Sequence, residues 1–243
     1  MTREAGRLCV YGSPDEVAAA VADFFVRFAA DAIDARGHFT VALAGGTTPK
    51  AAYTLLAKPP RSDAIDWSAV EIFFGDERCV PPDHDDSNYK MAFDSLLGTV
   101  KIPPERIHRM RGEGDPQAAA LAYRADLVAT LGDRPRLDLV MLGMGPDGHT
   151  ASLFPGEDPL TDDERLVRAV YSGSKAQWRI TLTPRVLNAA HAVMFAVEGA
   201  AKAATLAAVR EGPYDPVKYP SQIVAPADGD LLWLVDKAAR GES

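Results

Sequence analysis

The chain has 243 residues, of which 47% are hydrophobic, so it can bury the core of an α/β domain and is not a disordered chain. Its net charge of -8 argues against a surface that follows the phosphates of a nucleic acid, because such a surface needs an excess of basic residues. The two cysteines, Cys9 and Cys79, lack C-x-x-C spacing and predict neither a disulfide framework nor a cysteine zinc site.

The beginning of the chain lacks the apolar run of a signal peptide, and no stretch approaches the ~20 apolar residues that span a bilayer. Together with the cysteine usage, this predicts a soluble protein in the reducing cytoplasm.

Short apolar runs alternate with helical patterns along the chain. In the first half, the patterns predict strands at residues 8–11, 39–44 and 70–74, and helices at residues 17–35, 49–57, 88–97 and 117–131. In the second half, they predict a helix at residues 200–210 and strands at residues 137–142, 166–170, 179–182, 192–197 and 231–235.

This alternation predicts an α/β fold with a mainly parallel central sheet and helices on both of its faces, a Rossmann-like three-layer sandwich. No internal repeat or low-complexity linker divides the chain, so we expect a single domain over residues 1–243.

The glycine-rich turn Gly45-Gly46-Thr47-Thr48-Pro49-Lys50 follows the second predicted strand. Ligands of open parallel sheets bind beyond the carboxyl ends of the strands. The backbone N–H groups and hydroxyls of such a turn, at the start of a helix, suit a phosphate. The spacing is not that of a Walker A loop, and an ordinary turn capped by Thr48 is the alternative.

Three charges follow the third predicted strand in Gly75-Asp76-Glu77-Arg78. Arg78 can clamp an anion with its planar guanidinium, and Asp76 can orient that guanidinium. The alternative is a solvated loop with a local Asp–Arg pair, which is the commoner fate of a charge run.

The segment Gly143-Met144-Gly145-Pro146-Asp147-Gly148-His149 follows the fourth apolar strand of the main pattern. Its G-x-G-x-x-G spacing does not predict a dinucleotide site, because Pro146 lies inside the loop and no long helix follows. The loop presents Asp147 and His149 at alternate positions. Because imidazole exchanges protons near neutral pH, His149 is the leading candidate for proton transfer.

Two cations in the last third of the chain are further candidates. Arg179 begins an apolar strand, and Lys202 lies in the first turn of a helix, where the macrodipole disfavours a cation unless an anion binds there. Each of them taken singly is an ordinary surface cation. The chain lacks metal-binding spacings and the G-x-S-x-G nucleophile turn, and Ser152 lies in no such turn. We therefore expect direct attack by water, without metal or cofactor.

Several segments in colinear order resemble the 6-phosphogluconolactonase family over nearly the whole chain: residues 44–49, 75–81, 87–89, 143–156, 179–183 and 198–202. The resemblance implies a NagB-like fold, which glucosamine-6-phosphate deaminases share. Deaminase-like sequences read Asp-Glu-Tyr and Gly-His-Ile-Ala-Phe-Asn-Glu where this chain has Asp76-Glu77-Arg78 and Gly148-His149-Thr150-Ala151-Ser152-Leu153-Phe154, and the following acid is displaced to Glu157. Both differences favour the lactonase.

The resemblance implies a carboxylic ester hydrolase that converts 6-phospho-D-glucono-1,5-lactone to 6-phospho-D-gluconate, the second step of the oxidative pentose phosphate pathway. His149, supported by Asp147, would be the general base that activates water. The phosphate and sugar site would comprise Gly45, Gly46, Thr47, Asp76, Arg78, Arg179 and Lys202.

The expected partner is this small sugar-phosphate lactone, with no nucleic acid and no membrane, and the expected state is a monomer or weak dimer. An isomerising deaminase is the enzymatic alternative. A sugar-phosphate sensor is the non-enzymatic one, but sensors normally carry a DNA-binding segment, and none precedes residue 8.

Overall fold

The computed structural model of the protein describes residues 6–157 and 164–242. The strands are β1 (Arg7–Tyr11), β2 (Phe39–Leu43), β3 (Val70–Phe74), β4 (Asp76–Arg78), β5 (Leu139–Gly143), β6 (Val167–Ser172), β7 (Gln177–Leu182), β8 (Ala192–Val197) and β9 (Asp230–Asp236). The helices are α1 (Pro14–Arg36), α2 (Thr47–Leu56), α3 (Asn88–Ala92), α4 (Pro116–Leu131), α5 (Pro184–Leu187), α6 (Ala203–Glu211) and α7 (Lys237–Arg240).

Six parallel strands form the central sheet in the order β1-β9-β8-β5-β2-β3. Successive side chains of a strand point to opposite faces, so Val41 and Leu43 pack in one core and Ala42 in the other. Helices α1 and α2 contribute to the first core, and α4 and α6 contribute to the second. The predicted α/β fold with helices on both faces is therefore confirmed.

Local sequence sets the bounds of α1. The Ser13 hydroxyl accepts a hydrogen bond from the Glu16 N–H, Pro14 occupies the first helical position, and Gly37 ends the helix with a φ of 78°. Two predicted helices are less regular than expected. A π-helical turn, Phe93–Leu97, continues α3, and a 3₁₀ turn, Ala200–Lys202, precedes α6.

Strands β4, β7 and β6 form a separate antiparallel sheet that the sequence patterns do not distinguish from the central one. The patterns also miss β4, which has three residues, all of them charged. In this small sheet Arg78 lies directly opposite Arg179.

The connections of the central sheet reverse direction at β2, because β3 lies on one side of it and β5 on the other. The ladder between β2 and β5 covers only Val41 and Ala42 on β2, paired with Leu139 and Val140. The two strands therefore separate toward their carboxyl ends. Such a switch point is where ligands bind in open α/β sheets.

Two buried tyrosines hold the strand ends that border this opening. The Tyr53 hydroxyl accepts from the Ala44 N–H and donates to its carbonyl oxygen, and the Tyr123 hydroxyl does the same for Phe74. Burial raises the pKa of both phenols, so each stays protonated and able to donate. The hydroxyls replace the sheet partners that these strand ends lack.

Tyr123→Phe is expected to lower the free energy of unfolding by about 1–3 kcal/mol, because it leaves the buried N–H and C=O of Phe74 without their partner. Urea denaturation measures the change. Tyr171→Phe, at a tyrosine that is 48% exposed, is the matched control and should leave stability unchanged. Equal stability of the two variants would contradict this role for Tyr123.

Across residues 6–157 and 164–242, no helix is both long enough and apolar enough to cross a bilayer.

Candidate active site

A cleft of about 280 Å³ opens at the carboxyl ends of β2, β3 and β5, close to the lower end of the usual range for small-molecule sites, roughly 300–1,000 Å³. Most of the residues predicted from the sequence line it: Gly45, Gly46, Thr47, Asp76, Arg78, His149, Arg179 and Lys202. Asp147 does not line the cleft but contacts His149 at Nδ1.

The glycine-rich turn leads directly into α2. Gly46 precedes the helix with a φ of 108°, which favours glycine, and no side chain caps the helix, so the alternative of a cap by Thr48 is wrong. Thr47 is the first helical residue, and its hydroxyl donates to the Glu198 carboxylate at 3.3 Å. The first backbone N–H groups of α2 are thus available to an anion in the cleft.

Arg78 and Arg179 form a cross-strand pair of like charges. Such a pair is destabilising unless an anion lies between its members. The Nε atoms of both side chains are buried, and neither Nε atom has a hydrogen-bond partner in the described part of the chain. Burial lowers the pKa of the Arg179 guanidinium, an effect that Asp76 opposes and Arg78 reinforces. These features favour an anion site here over a solvated loop.

Lys202 reaches the cleft from the 3₁₀ turn before α6. Its ammonium donates to the main-chain oxygen of Met144 at 2.5 Å. Burial lowers the pKa of Lys202, although the negative charges of Glu198 and Asp147 oppose this effect. Lys202 thus lies at the start of a helix, where a cation is disfavoured, but its ammonium extends away from that helix to the loop at residues 143–150.

The histidine loop, residues 143–150, presents the candidate base. His149 Nδ1 lies 2.5 Å from Asp147 Oδ1, and the His149 N–H donates to the same oxygen at 3.2 Å. Partial burial raises the pKa of Asp147, but the hydrogen bonds and charge of His149 outweigh this and lower it overall. With Nδ1 occupied by an ionised carboxylate, Nε2 is the ring nitrogen that can accept a proton from the cleft.

Gly145 is required by the packing of this pair, because a Cβ there would collide with the His149 ring and the Asp147 carboxylate. Further contacts anchor the loop. The Thr205 hydroxyl donates to the Pro146 oxygen at 2.6 Å, and the Ser221 hydroxyl donates to the Gly148 oxygen at 2.8 Å. The loop that carries His149 is therefore held by helix α6 and the 3₁₀ turn Pro220–Ile223 as well as by the strand that precedes it.

Gly145→Ala is expected to displace the His149 ring. For the lactone hydrolysis expected from the sequence, kcat should fall by about 10²-fold, since a displacement of roughly 1 Å is enough for such a loss. Steady-state kinetics of the purified variant, with its melting temperature, measure the effect. Gly114→Ala is the control, because a Cβ at Gly114 meets no atom within 4 Å. An unchanged kcat in Gly145→Ala would contradict the packing argument.

Sequence reasoning gave no role to Glu77 of β4 or to Asn88 at the start of α3. Glu77 is 3% exposed, and its carboxylate accepts from the N–H groups of Arg78, Asn88 and Tyr89. Burial raises the pKa of Glu77, and these donors oppose the effect. Asn88 lines the cleft, and its Oδ1 occupies the space that a Cβ on Gly45 would fill. The colinear segments at residues 75–81 and 87–89 were the available signals for Glu77 and Asn88 respectively.

The displaced acid lies outside the cleft. Glu157 Oε1 accepts from the Gly173 N–H at 3.2 Å, in the connection between β6 and β7, and Glu157 does not line the cleft.

Within the two described ranges, no group of three or more His, Cys, Asp or Glu side chains is arranged to hold a metal ion.

A sequence model described as glucosamine-6-phosphate isomerases/6-phosphogluconolactonase matches residues 12–233. A curated 6-phosphogluconolactonase from Nostoc sp. is 42% identical over 217 residues, which cover 87% of each chain. Another from Haemophilus influenzae is 36% identical over 199 residues, covering 82% of this chain and 85% of that protein.

Solved structures give the same grouping. A 6-phosphogluconolactonase from Trypanosoma cruzi matches with a TM-score of 0.89 and 28% identity, covering 99% of this chain and 97% of that one. A monomeric glucosamine-6-phosphate deaminase matches with a TM-score of 0.81 at 19% identity, covering 98% and 100%, which is a likeness of fold alone. The chain therefore belongs to the glucosamine-6-phosphate isomerase/6-phosphogluconolactonase family.

Proposed function

We propose that this protein hydrolyses 6-phospho-D-glucono-1,5-lactone to 6-phospho-D-gluconate in the pentose phosphate pathway, without a metal ion and with His149 as the general base. The observation that supports the proposal is that His149 lines the same cleft as the three cations Arg78, Arg179 and Lys202. The Phe154 ring lies 5.0 Å from the His149 ring and 6.0 Å from the Arg179 guanidinium, measured to ring centroids, so base and cation flank the same aromatic side chain.

In the reaction, His149 Nε2 takes a proton from water as the water oxygen bonds to the lactone carbonyl carbon. The tetrahedral intermediate then expels the ring oxygen, and the protonated imidazole returns a proton to this leaving alkoxide. Asp147 holds the imidazole in the required tautomer and stabilises its charged form.

The phosphate is held by Arg78, Arg179 and Lys202 together with the backbone N–H groups that begin α2. This remote anchor fixes the carbonyl relative to the attacking water and so converts binding energy into orientation. A lactone without a phosphate should accordingly be a poor substrate.

The direct test is hydrolysis of freshly prepared 6-phospho-D-glucono-1,5-lactone, corrected for its spontaneous opening, beside ammonia release from glucosamine 6-phosphate. We expect lactone turnover without ammonia release, and a rate that survives dialysis against EDTA. Ammonia release without lactone turnover would assign the deaminase reaction instead. Inactivity on both compounds would refute the proposal and favour a sugar-phosphate sensor. Loss of activity with EDTA would refute the metal-free mechanism only.

A further inference from the structure

Asp76 places a negative charge in a cleft that otherwise presents the cations Arg78, Arg179 and Lys202. A carboxylate repels a phosphate, so the phosphate anchor does not explain why Asp76 faces the ligand. Asp76 offsets part of the cost of burying the Arg179 guanidinium, but its carboxylate also lines the cleft, where a part of the substrate other than the phosphate can be its partner.

Two neutral side chains fix the Asp76 carboxylate. Ser152 Oγ donates to Oδ2 at 2.7 Å, and Asn88 Nδ2 donates to Oδ1 at 3.1 Å and to the Asp76 main-chain oxygen at 2.8 Å. Asp76 is 8% exposed, Asn88 2% and Ser152 0%. Each carboxylate oxygen can accept about two hydrogen bonds, so both oxygens keep capacity for a donor in the cleft.

Ser152 belongs to the segment that carries the base. It follows Ala151, whose φ of 47° is unfavourable for a residue with a Cβ, and the Ser152 N–H donates to Thr181 Oγ1 at 3.3 Å. This turn directs the serine hydroxyl away from solvent and toward Asp76. One segment thus sets both the place of His149 and the orientation of the Asp76 carboxylate.

We propose that Ser152 is a positioning residue that, with Asn88, fixes Asp76 as the acceptor for a ring hydroxyl of the substrate. The inference rests on the proposed function and adds its specificity determinant. The lactone carbonyl, the ring oxygen and a phosphate dianion carry no hydrogen-bond donor, so the hydroxyls are the substrate groups that Asp76 can bind. Phosphate, carbonyl and hydroxyl then give three points of contact, which define the face of the ring that water attacks.

The test compares wild type with Ser152→Ala on 6-phospho-D-glucono-1,5-lactone and on its 2-deoxy, 3-deoxy and 4-deoxy analogues. We expect Ser152→Ala to raise KM for the parent lactone about tenfold with little change in kcat, the scale of one hydrogen bond to a charged group. For the analogue that lacks the hydroxyl bound by Asp76, the same substitution should change KM by less than about twofold, because the interaction is already lost.

Two further variants distinguish the positioning of Asp76 by Ser152 from a general loss of structure. Ser152→Cys keeps a weaker donor of similar size and should give a KM between wild type and Ser152→Ala. Ser172→Ala removes a hydroxyl from a residue that is also 0% exposed but lies outside the cleft, and it should leave all four lactones unaffected.

An equal loss of kcat/KM on all four lactones would show a merely structural role for Ser152 and would overturn the inference, as would no change on any of them. Failure of the proposed function is seen separately, because wild-type protein would then not turn over the parent lactone.

Discussion

His149→Ala is expected to lower kcat on the phosphorylated lactone by roughly 10²–10⁴-fold, the scale of one general acid–base group. The reason is that its imidazole both accepts the proton of the attacking water and protonates the leaving ring oxygen. KM should change much less, since the phosphate anchor is intact. Steady-state kinetics, with the spontaneous opening of the lactone subtracted, measure both quantities.

The His149 side chain is 25% exposed and contacts Asp147 and Phe154, so the melting temperature of the variant is measured beside its kinetics to show that it is folded. His38→Ala, at an exposed histidine that does not line the cleft, is the matched control and should retain full activity. A near-normal kcat in correctly folded His149→Ala would remove this residue from the mechanism. Another group would then have to supply the proton transfers.

Arg179→Met is expected to weaken the phosphorylated lactone by about 1.5–3 kcal/mol, or roughly 10–150-fold in kcat/KM, because a charged hydrogen bond to the phosphate is lost. Methionine preserves much of the arginine stem and so limits the loss of packing. Hydrolysis of unphosphorylated glucono-1,5-lactone should be slow in wild type and no slower in the variant. The ratio of the two rates is the measurement.

The same substitution makes a prediction about stability that is unusual for a buried residue. Arg179 on β7 lies directly opposite Arg78 on the neighbouring strand β4, so its removal relieves a like-charge contact. The free energy of unfolding should therefore stay the same or rise. Arg124→Met, at an exposed arginine of α4, is the control for both measurements. A large fall in stability, with equal losses on both lactones, would make Arg179 a structural residue.

Local patterns of residue types were sufficient to predict the main strands and helices. The strands at residues 70–74 and 192–197 were predicted with the bounds that the structure has, because both are apolar runs, interrupted only by Glu71 in the first of them. The histidine loop was identified because glycines, a proline and two titratable side chains follow such a strand within a few residues. The cations were candidates individually, but nothing local showed that they belong to one cleft.

The sequence by itself determined the alternation of strands and helices, hence the parallel sheet, and the chemistry available at the strand ends, because both depend on residues that are near neighbours in the chain. Only the tertiary structure decided which of these groups meet. The pairing of Arg78 with Arg179 depends on the register of two strands, and Ser152 reaches Asp76 across 76 residues of sequence. Long-range contacts of this kind follow from the packing of whole elements and from strand register, to which a local pattern of residue types is insensitive.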